Sequence, residues 1–456
     1  MIILGLNAYH GDSSACIIMD GKLVAAVEEE RFRRVKHWAG FPTEAIKYCL
    51  QEAGAKVSDI DHIAVNRNPT ANLLKKALFA FQKHPSLDLI KDRLKNASRM
   101  RDIKSKLAEE FRIEPTKVKA ETHHVEHHVA HLGSTFFVSP FDKAAVVSVD
   151  GFGDFVGAMW GRGEGNKLEV RDRVFFPHSL GLFYLSLTQF LGFPKYGDEY
   201  KVMGLSSYGK PVYLDKMKEI VRLDGDGKFK LNLDYFIHHS EGVTMTWEAG
   251  EPNMGPVYSQ KIETSLGPAR KREEPISKSH ENIAASLQSI YEEAFFHLLN
   301  HVYEETRIPV LCLAGGCAMN SVANGKIFDK TPFKQVYIQA AAGDAGGALG
   351  AAYYVWNQVL GNKRDFVMDT AYWGPQFSEA ELSYELRVMS DELNKQECAV
   401  RKIDNGDELC KLTAKEVAQG KVVGWFQGRM EWGPRALGNR SIVVDPRRAE
   451  MKDVLN

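Results

Sequence analysis

Two stretches of the chain open in the same way. "IILGLNAY" is an apolar run that breaks into the small polar loop "HGDSS", and "ACIIMDGKLVAAVEEERF" follows as two more runs with a turn at Asp20-Gly21. Later, "AAVVSVDG" breaks into a glycine corner, and "FVGAMWGRGEGNKLEVRDRVFF" follows as another pair of runs joined at a Gly-rich turn. Short Val/Ile-rich runs punctuated by Gly, Asp and Ser are the pattern of strands joined by tight turns. A strand, a small-residue loop and a hairpin, occurring twice, are the strongest constraint on this fold. Each apolar strand must be buried in a sheet, and each loop is left at a strand end.

The remaining chain reads as α/β. "PTEAIKYCLQEAG" has helical spacing and a Gly stop, and "HIAVNRN" is a short strand. In "HENIAASLQSIYEEAFFHLLNHVYEET", Ile283, Leu287, Ile290, Ala294, Leu298 and Val302 recur at helical spacing, which predicts a long amphipathic helix. "IPVLCLAGGCAMNSVANGKI" and "VYIQAAAGDAGGALGAAYYVW" each read as strand, glycine turn, helix. At 456 residues the chain exceeds one core, so two or three domains are expected. Residues 1–360 are expected to form one domain of two similar halves, 1–135 and 136–360, with insertions near 70–118 and 212–280. Two such strand–loop–hairpin units are what an actin, sugar-kinase or Hsp70-like fold uses, each half offering a loop to the phosphates of a nucleotide. Residues 361–400 are charged and irregular, as a linker would be, and "KVVGWFQG" begins a strand of a further domain over 401–456.

Bulk properties exclude several classes. Lys+Arg number 58 against 59 Asp+Glu, so no global field recruits nucleic acid or anionic lipid. "GLFYLSLTQFLGF" is too short for a membrane span. The N-terminus lacks a basic region and a cleavage site and reads as a first strand. Six scattered cysteines with no CxxC pair read as reduced thiols, and the location expected is cytoplasmic.

Chemistry concentrates at a few places. "ETHHVEHHVAH" holds five of the chain's 15 histidines. On a helix, His123/His127, His124/His128 and His127/His131 would each share a face, so spacing alone does not choose a pair. Two such imidazoles with carboxylates from elsewhere make a site for Fe, Zn or Mn; the alternative is a polar helix with unrelated surface histidines. Asp150 ends a strand before Gly151, and Asp344 sits among small residues between strand and helix. Either is a candidate ligand, or a turn or helix cap. Gly315-Gly316 stands where a strand gives way to a helix and suits a phosphate or adenosine, or simply a tight turn. His10 follows the first strand and is a candidate general base or phosphate contact, or a structural histidine. "GRMEWGPRALGNRSIVVDPRR" spaces Arg429, Arg435 and Arg440 along a Gly/Pro loop, which favours an anion site over a solvated charge run.

Taken in order over nearly the whole chain, "LGLNAYHGDSSACIIMDGKLVAAVEEERFRRVKH", "HHVAH", "VSVDGFGD", "GDEYKVMGLSSYG", "LAGGCAMNSVAN", "AAGDAGGALGAA" and "GRMEWGPRALGNRSIVVDPR" resemble one family: the O-carbamoyltransferases of the nodulation-factor and tobramycin type. The resemblance implies a duplicated ASKHA-type domain followed by a YrdC-like domain. It implies that the YrdC-like part makes carbamoyl-adenylate from carbamoyl phosphate and ATP, with Mg2+. The ASKHA-type part then moves the carbamoyl group to a hydroxyl of a small-molecule acceptor, a natural product or sugar, using bound Fe2+, with Zn2+ or Mn2+ as alternatives. The family's HxxxH pair falls on His127 and His131, its aspartate ligands on Asp150 and Asp344, and its catalytic histidine on His10. Lys36 and His37 fall on matching positions. Nucleotide or adenylate contacts are expected at Lys36, Gly151, Gly315, Gly316 and Asn320, and carbamoyl phosphate contacts at Arg429, Arg435 and Arg440. His123, His124 and His128 are expected outside the metal shell. No nucleic-acid or membrane partner is implied, and a homodimer is compatible.

Two departures stand out. The family reads His-Asp-[Ser/Ala]-Ser after the first strand, whereas this chain reads His10-Gly11-Asp12-Ser13-Ser14, one residue longer. The chain also reaches Asn456 just inside the YrdC-like domain, so it is not expected to make carbamoyl-adenylate alone. Two other readings use the same fold. A tRNA threonylcarbamoyl-transfer enzyme would want net positive charge or a basic stripe, and a sugar kinase would want a general-base Asp and Mg2+ in place of a histidine-rich segment.

Overall fold

β1 (Ile2–Asn7) has no polar face: Ile3, Leu4 and Leu6 are all buried, so the strand must be covered on both sides. It is the middle strand of a five-stranded sheet in the computed structural model, which describes residues 1–83, 102–242, 245–248 and 250–455. β2 (Ser14–Met19) and β3 (Lys22–Glu28) follow antiparallel, turning at Asp20-Gly21. The helix Thr43–Glu52 then crosses over, and β4 (His62–Val65) returns parallel to β1. β5 (Glu121–His124) adds in parallel at the edge, giving the order β3-β2-β1-β4-β5.

The second sheet repeats this plan. β6 (Lys143–Gly153), β7 (Val156–Glu164) and β8 (Lys167–Phe175) form an antiparallel meander. Two small hairpins follow, β9 (Val221–Leu223) with β10 (Phe229–Leu231), and β11 (Met245–Glu248) with β12 (Glu251–Met254). β13 (Val310–Ala314) and β14 (Gln335–Ile338) then return parallel to β6, in the order β14-β13-β6-β7-β8. The two sheets therefore share one topology, a duplicated α/β architecture of the kind the ASKHA-type resemblance implies. The long helix spans Lys278–Thr306 and buries all six residues whose spacing marked its inner face.

Two stretches differ from the sequence reading, the histidine-rich segment and 361–400. The histidine-rich segment is not one helix. Residues Glu121–His124 pair with β4 as β5, and a helix begins only at His127, where the Asp154 carboxylate accepts from the His127 N–H at 2.9 Å. Within 70–118, helices cover Leu73–Lys83 and Ile103–Glu110, and residues 84–101 lie outside the described residues. Within 361–400, read as a linker, Glu379–Val388 and Ser390–Lys395 are helical, the first with a capping box from Ser378 and Glu381.

The chain divides into two compact units, Met1–Asp369 and Thr370–Asn456. The second holds β15 (Val423–Phe426) paired antiparallel with β16 (Arg440–Val443), and the helix Gly406–Ala418. Among the described residues, no helix is long and apolar enough to cross a membrane.

Candidate metal centre and active site

One helical turn separates His127 from His131 on the helix His127–Phe136, so both rings leave the same side. Asp150 reaches them from near the end of β6, and Asp344 from the loop between β14 and the helix Gly346–Tyr354. All four residues are buried, and their ligand atoms lie within 4.8 Å of one another. The two Nε2 atoms are 3.1 Å apart. His127 Nε2 is 3.2 Å from Asp150 Oδ2 and 3.4 Å from Asp344 Oδ1; for His131 Nε2 these distances are 3.7 and 3.6 Å. Ligands about 2.0–2.2 Å from one cation stand roughly 3–3.6 Å from each other, so these edges fit a first-row divalent metal. The buried Asp344 Oδ1 accepts no hydrogen bond, as a carboxylate oxygen reserved for a cation would not.

Each carboxylate divides its oxygens between two tasks. Asp150 Oδ1 accepts from the Gly316 N–H at 2.7 Å, which fixes the side chain. Asp344 Oδ2 lies 2.5 Å from His10 Nδ1. Asp344 does not cap the following helix, whose N-cap residue Ala345 makes no side-chain bond. Burial disfavours a charge on His127, but the Asp150 and Asp344 carboxylates outweigh it and push the imidazole up to about 10. Burial and Asp344 would raise Asp150, and the two imidazoles instead draw it below the usual range. Loading a cation must therefore displace protons.

His128 points away. Its ring bonds Ser148 Oγ at 2.9 Å and the Val156 carbonyl at 2.8 Å, and burial brings it down to about 3, so it is a neutral brace between helix and sheet.

The His10 loop is pinned from within. Asn7 Nδ2 donates to the Gly11 and Asp12 carbonyls, and Ser13 Oγ donates to those of His10 and Gly40. The residue that lengthens this loop thus still leaves His10 on the cage. Asp12 faces the other way and takes His37 Nδ1 at 2.7 Å. Burial opposes charge on His37, and Asp12 reverses the balance and raises it. Tyr196 lies edge-on to His37, ring centroids 5.2 Å apart. Burial, then the charges of Asp344, Asp12 and Asp150, hold its phenol well above its ordinary value, so it stays a donor. Burial also raises Glu199 to about 6. Asp12, Tyr196 and Glu199 were not singled out from sequence. Only Asp12, beside His10 in a polar loop, carried a local signal.

The family model described as "Carbamoyltransferase N-terminus" matches residues 2–353, and "Carbamoyltransferase C-terminus" matches residues 414–456. The chain belongs to the carbamoyltransferase family. It is 41% identical over its full length to an uncharacterized protein of Synechocystis, covering 72% of that protein. It is 35% identical to the nodulation protein NolNO of Sinorhizobium fredii over 99% of this chain, but spans only 60% of that protein's length. A 3'-hydroxymethylcephem-O-carbamoyltransferase of Amycolatopsis lactamdurans is 32% identical over 32% of this chain and 25% of its own.

In this member of the carbamoyltransferase family three of the expected nucleotide residues, Gly151, Gly315 and Gly316, lie beside Asp150. Gly315 (φ 94°) turns the chain tightly under β6, and its N–H donates to the Ala342 carbonyl at 2.7 Å. With the Gly316 N–H on Asp150, both glycine N–H groups are engaged within the protein. Asn320 exchanges hydrogen bonds with Gln288 at 3.0 and 3.1 Å and caps a short helix at Ala323. Gly151 follows the cage residue Asp150. Lys36 is exposed, its ammonium 5.0 Å from the Tyr200 ring centre. In the second unit, Arg429 donates to the Gly374 and Trp373 carbonyls. Arg440 pairs with buried Glu431 at 3.1 Å and donates to the Gly433 carbonyl, while Arg435 is exposed.

Proposed function

We propose that this chain carries the transfer centre of an ATP-dependent O-carbamoyltransferase, moving a carbamoyl group from carbamoyl-adenylate to a hydroxyl of a small-molecule acceptor. The observation that carries this is the sharing of Asp344 between a four-ligand cage and His10. The name of the cephem relative, an O-carbamoyltransferase, supports a hydroxyl acceptor.

A divalent cation on His127, His131, Asp150 and Asp344, Fe2+ or else Zn2+ or Mn2+, supplies Lewis acidity toward a carbonyl or phosphoryl oxygen when bound. Asp344 Oδ2 orients the His10 ring, leaving its Nε2 to take the acceptor's hydroxyl proton. The acceptor oxygen then bonds to the carbamoyl carbon, and AMP leaves with the electron pair of the broken C–O bond. Asp12 holds His37 on the far side of the same loop, where the Tyr196 phenol is a second donor. Lys36, Gly151 and the turn around Gly315, Gly316 and Asn320 are assigned to the nucleotide. Arg429, Arg435 and Arg440 are assigned to carbamoyl phosphate, with ATP delivered as its Mg2+ complex. Reaction in the cytoplasm suits ATP use and six free thiols.

The test is incubation with ATP, carbamoyl phosphate and candidate hydroxyl compounds, using the protein extended to the length of its relatives. The expected result is an acceptor heavier by one carbamoyl group, lost on chelation and in His131→Ala. Equal transfer by His131→Ala and the parent would overturn the reading.

A further inference from the structure

Five histidines crowd the segment Glu121–His131, and the cage and its brace account for three of them. His123 finds its partner elsewhere. β5 runs parallel to β4 with His62 opposite Glu121 and Ala64 opposite His123. Side chains two apart on a strand share a face, as do those directly opposite in register, so His62, Glu121 and His123 leave one face of the sheet edge. The small Ala64 leaves room for the His123 ring to lean toward His62. The result is His62 Nδ1 only 3.0 Å from His123 Nε2, with Glu121 Oε2 at 3.8 and 4.0 Å from these two nitrogens.

We propose that His62, Glu121 and His123 form a second metal site, taking Zn2+ or a similar nitrogen-preferring divalent cation with a coordination position open to water. Two imidazole nitrogens bound tetrahedrally to one cation at about 2.0–2.1 Å stand about 3.3–3.4 Å apart, so these rings need to part by only a few tenths of an ångström to admit one. Their side chains are only 12% and 14% exposed, so packing holds them in place, whereas the Glu121 carboxylate is 70% exposed and free to swing inward. Burial keeps His123 below the ordinary imidazole value, so the ring is a neutral ligand at neutral pH. Nitrogen donors exclude Mg2+ and Ca2+ as preferred occupants. A bound cation would staple the edge strand β5 to β4 immediately before the chain enters the cage helix.

The experiment is to strip the protein with chelator, dialyse it against Zn2+ and count zinc per chain by elemental analysis. Two equivalents are expected on the parent protein. His127→Ala/His131→Ala should keep one, and His62→Ala/His123→Ala should also keep one. The first variant tests the cage, so failure of that reading is scored separately. Glu121→Gln should raise the dissociation constant of one equivalent only. Zinc should also protect His62 and His123 of the parent protein from diethylpyrocarbonate, read by peptide mass. Full zinc content in His62→Ala/His123→Ala, or equal modification of both rings with and without zinc, would overturn the proposal.

Discussion

Asp344 is the residue on which the two functions of the site meet, because one oxygen faces the cage imidazoles and the other faces His10. That division separates two variants. On the proposed reading, in which His10 moves a proton and holds no cation, His10→Ala should lower kcat by about 10²–10⁴ while leaving metal content unchanged. Asp344→Asn should lose both bound metal and transfer. Elemental analysis beside a carbamoyl-transfer assay checks the pair, and metal loss in His10→Ala would be the contrary result. Away from the site, His238 is fully buried, its Nε2 at 2.9 Å from the Pro177 carbonyl, and burial brings it down to about 4. The sign follows from linkage. The unfolded imidazole, near 6.5, binds a proton more readily than the folded one, so this contribution is present above pH 6.5 and disappears as pH falls toward 4. The loss is at most about 3 kcal/mol. Denaturant melts at pH 7 and pH 4.5 should show His238→Gln less acid-sensitive than the parent protein.

At the scale of elements, the cage depends on two helices that cross at glycines. The helix Gly346–Tyr354 follows Asp344, and the helix His127–Phe136 carries both imidazoles. A Cβ on Gly350 would land on the Ala130 carbonyl oxygen, and one on Gly133 would approach the Gly350 carbonyl to 2.8 Å. The backbones touch because neither glycine has a side chain. Gly350→Ala should therefore cost about 1–3 kcal/mol of overpacking, and should weaken metal binding by shifting Asp344 against the histidines. Calorimetry and metal titration on one sample test this, and a variant with unchanged melting would contradict the packing argument.

For the whole molecule, the two units differ in how much they bury. Met1–Asp369 contains both five-stranded sheets and the long helix. In Thr370–Asn456 the buried apolar side chains among the described residues are Ala371, Pro375, Trp432 and Met451, and the helices Glu379–Val388 and Gly406–Ala418 bury none. Heating should give two transitions, the smaller unit melting first. A divalent metal at 100 times its dissociation constant should raise only the later transition, by about 2.7 kcal/mol per site. Scanning calorimetry with and without chelator reads this directly, and a single transition that moves as one would count against it.

Local patterns made the repeated strands and the long helix legible before any coordinates, because a period of two or 3.6 is set by backbone geometry alone. Ile283, Leu287, Ile290, Ala294, Leu298 and Val302 could face one way only on a helix, and all are buried. The motifs around His10, Asp150 and Asp344 were legible as chemistry at strand ends. The histidine segment was not legible in the same sense, since spacings of four occur there three times. Pairing with β4, a partner far away in sequence, makes Glu121–His124 a strand and starts the helix at His127. At the glycine turn 315–316, distant Ala342 and Asp150 take both N–H groups, which the local sequence does not disclose. Tyr196 and Glu199 reach their surroundings through tertiary packing, and their neighbours in sequence give no sign of it. Sequence thus determined the kinds of elements and the chemistry at their ends. Tertiary structure decided which imidazoles and carboxylates meet, because that choice rests on contacts between residues that no local period relates.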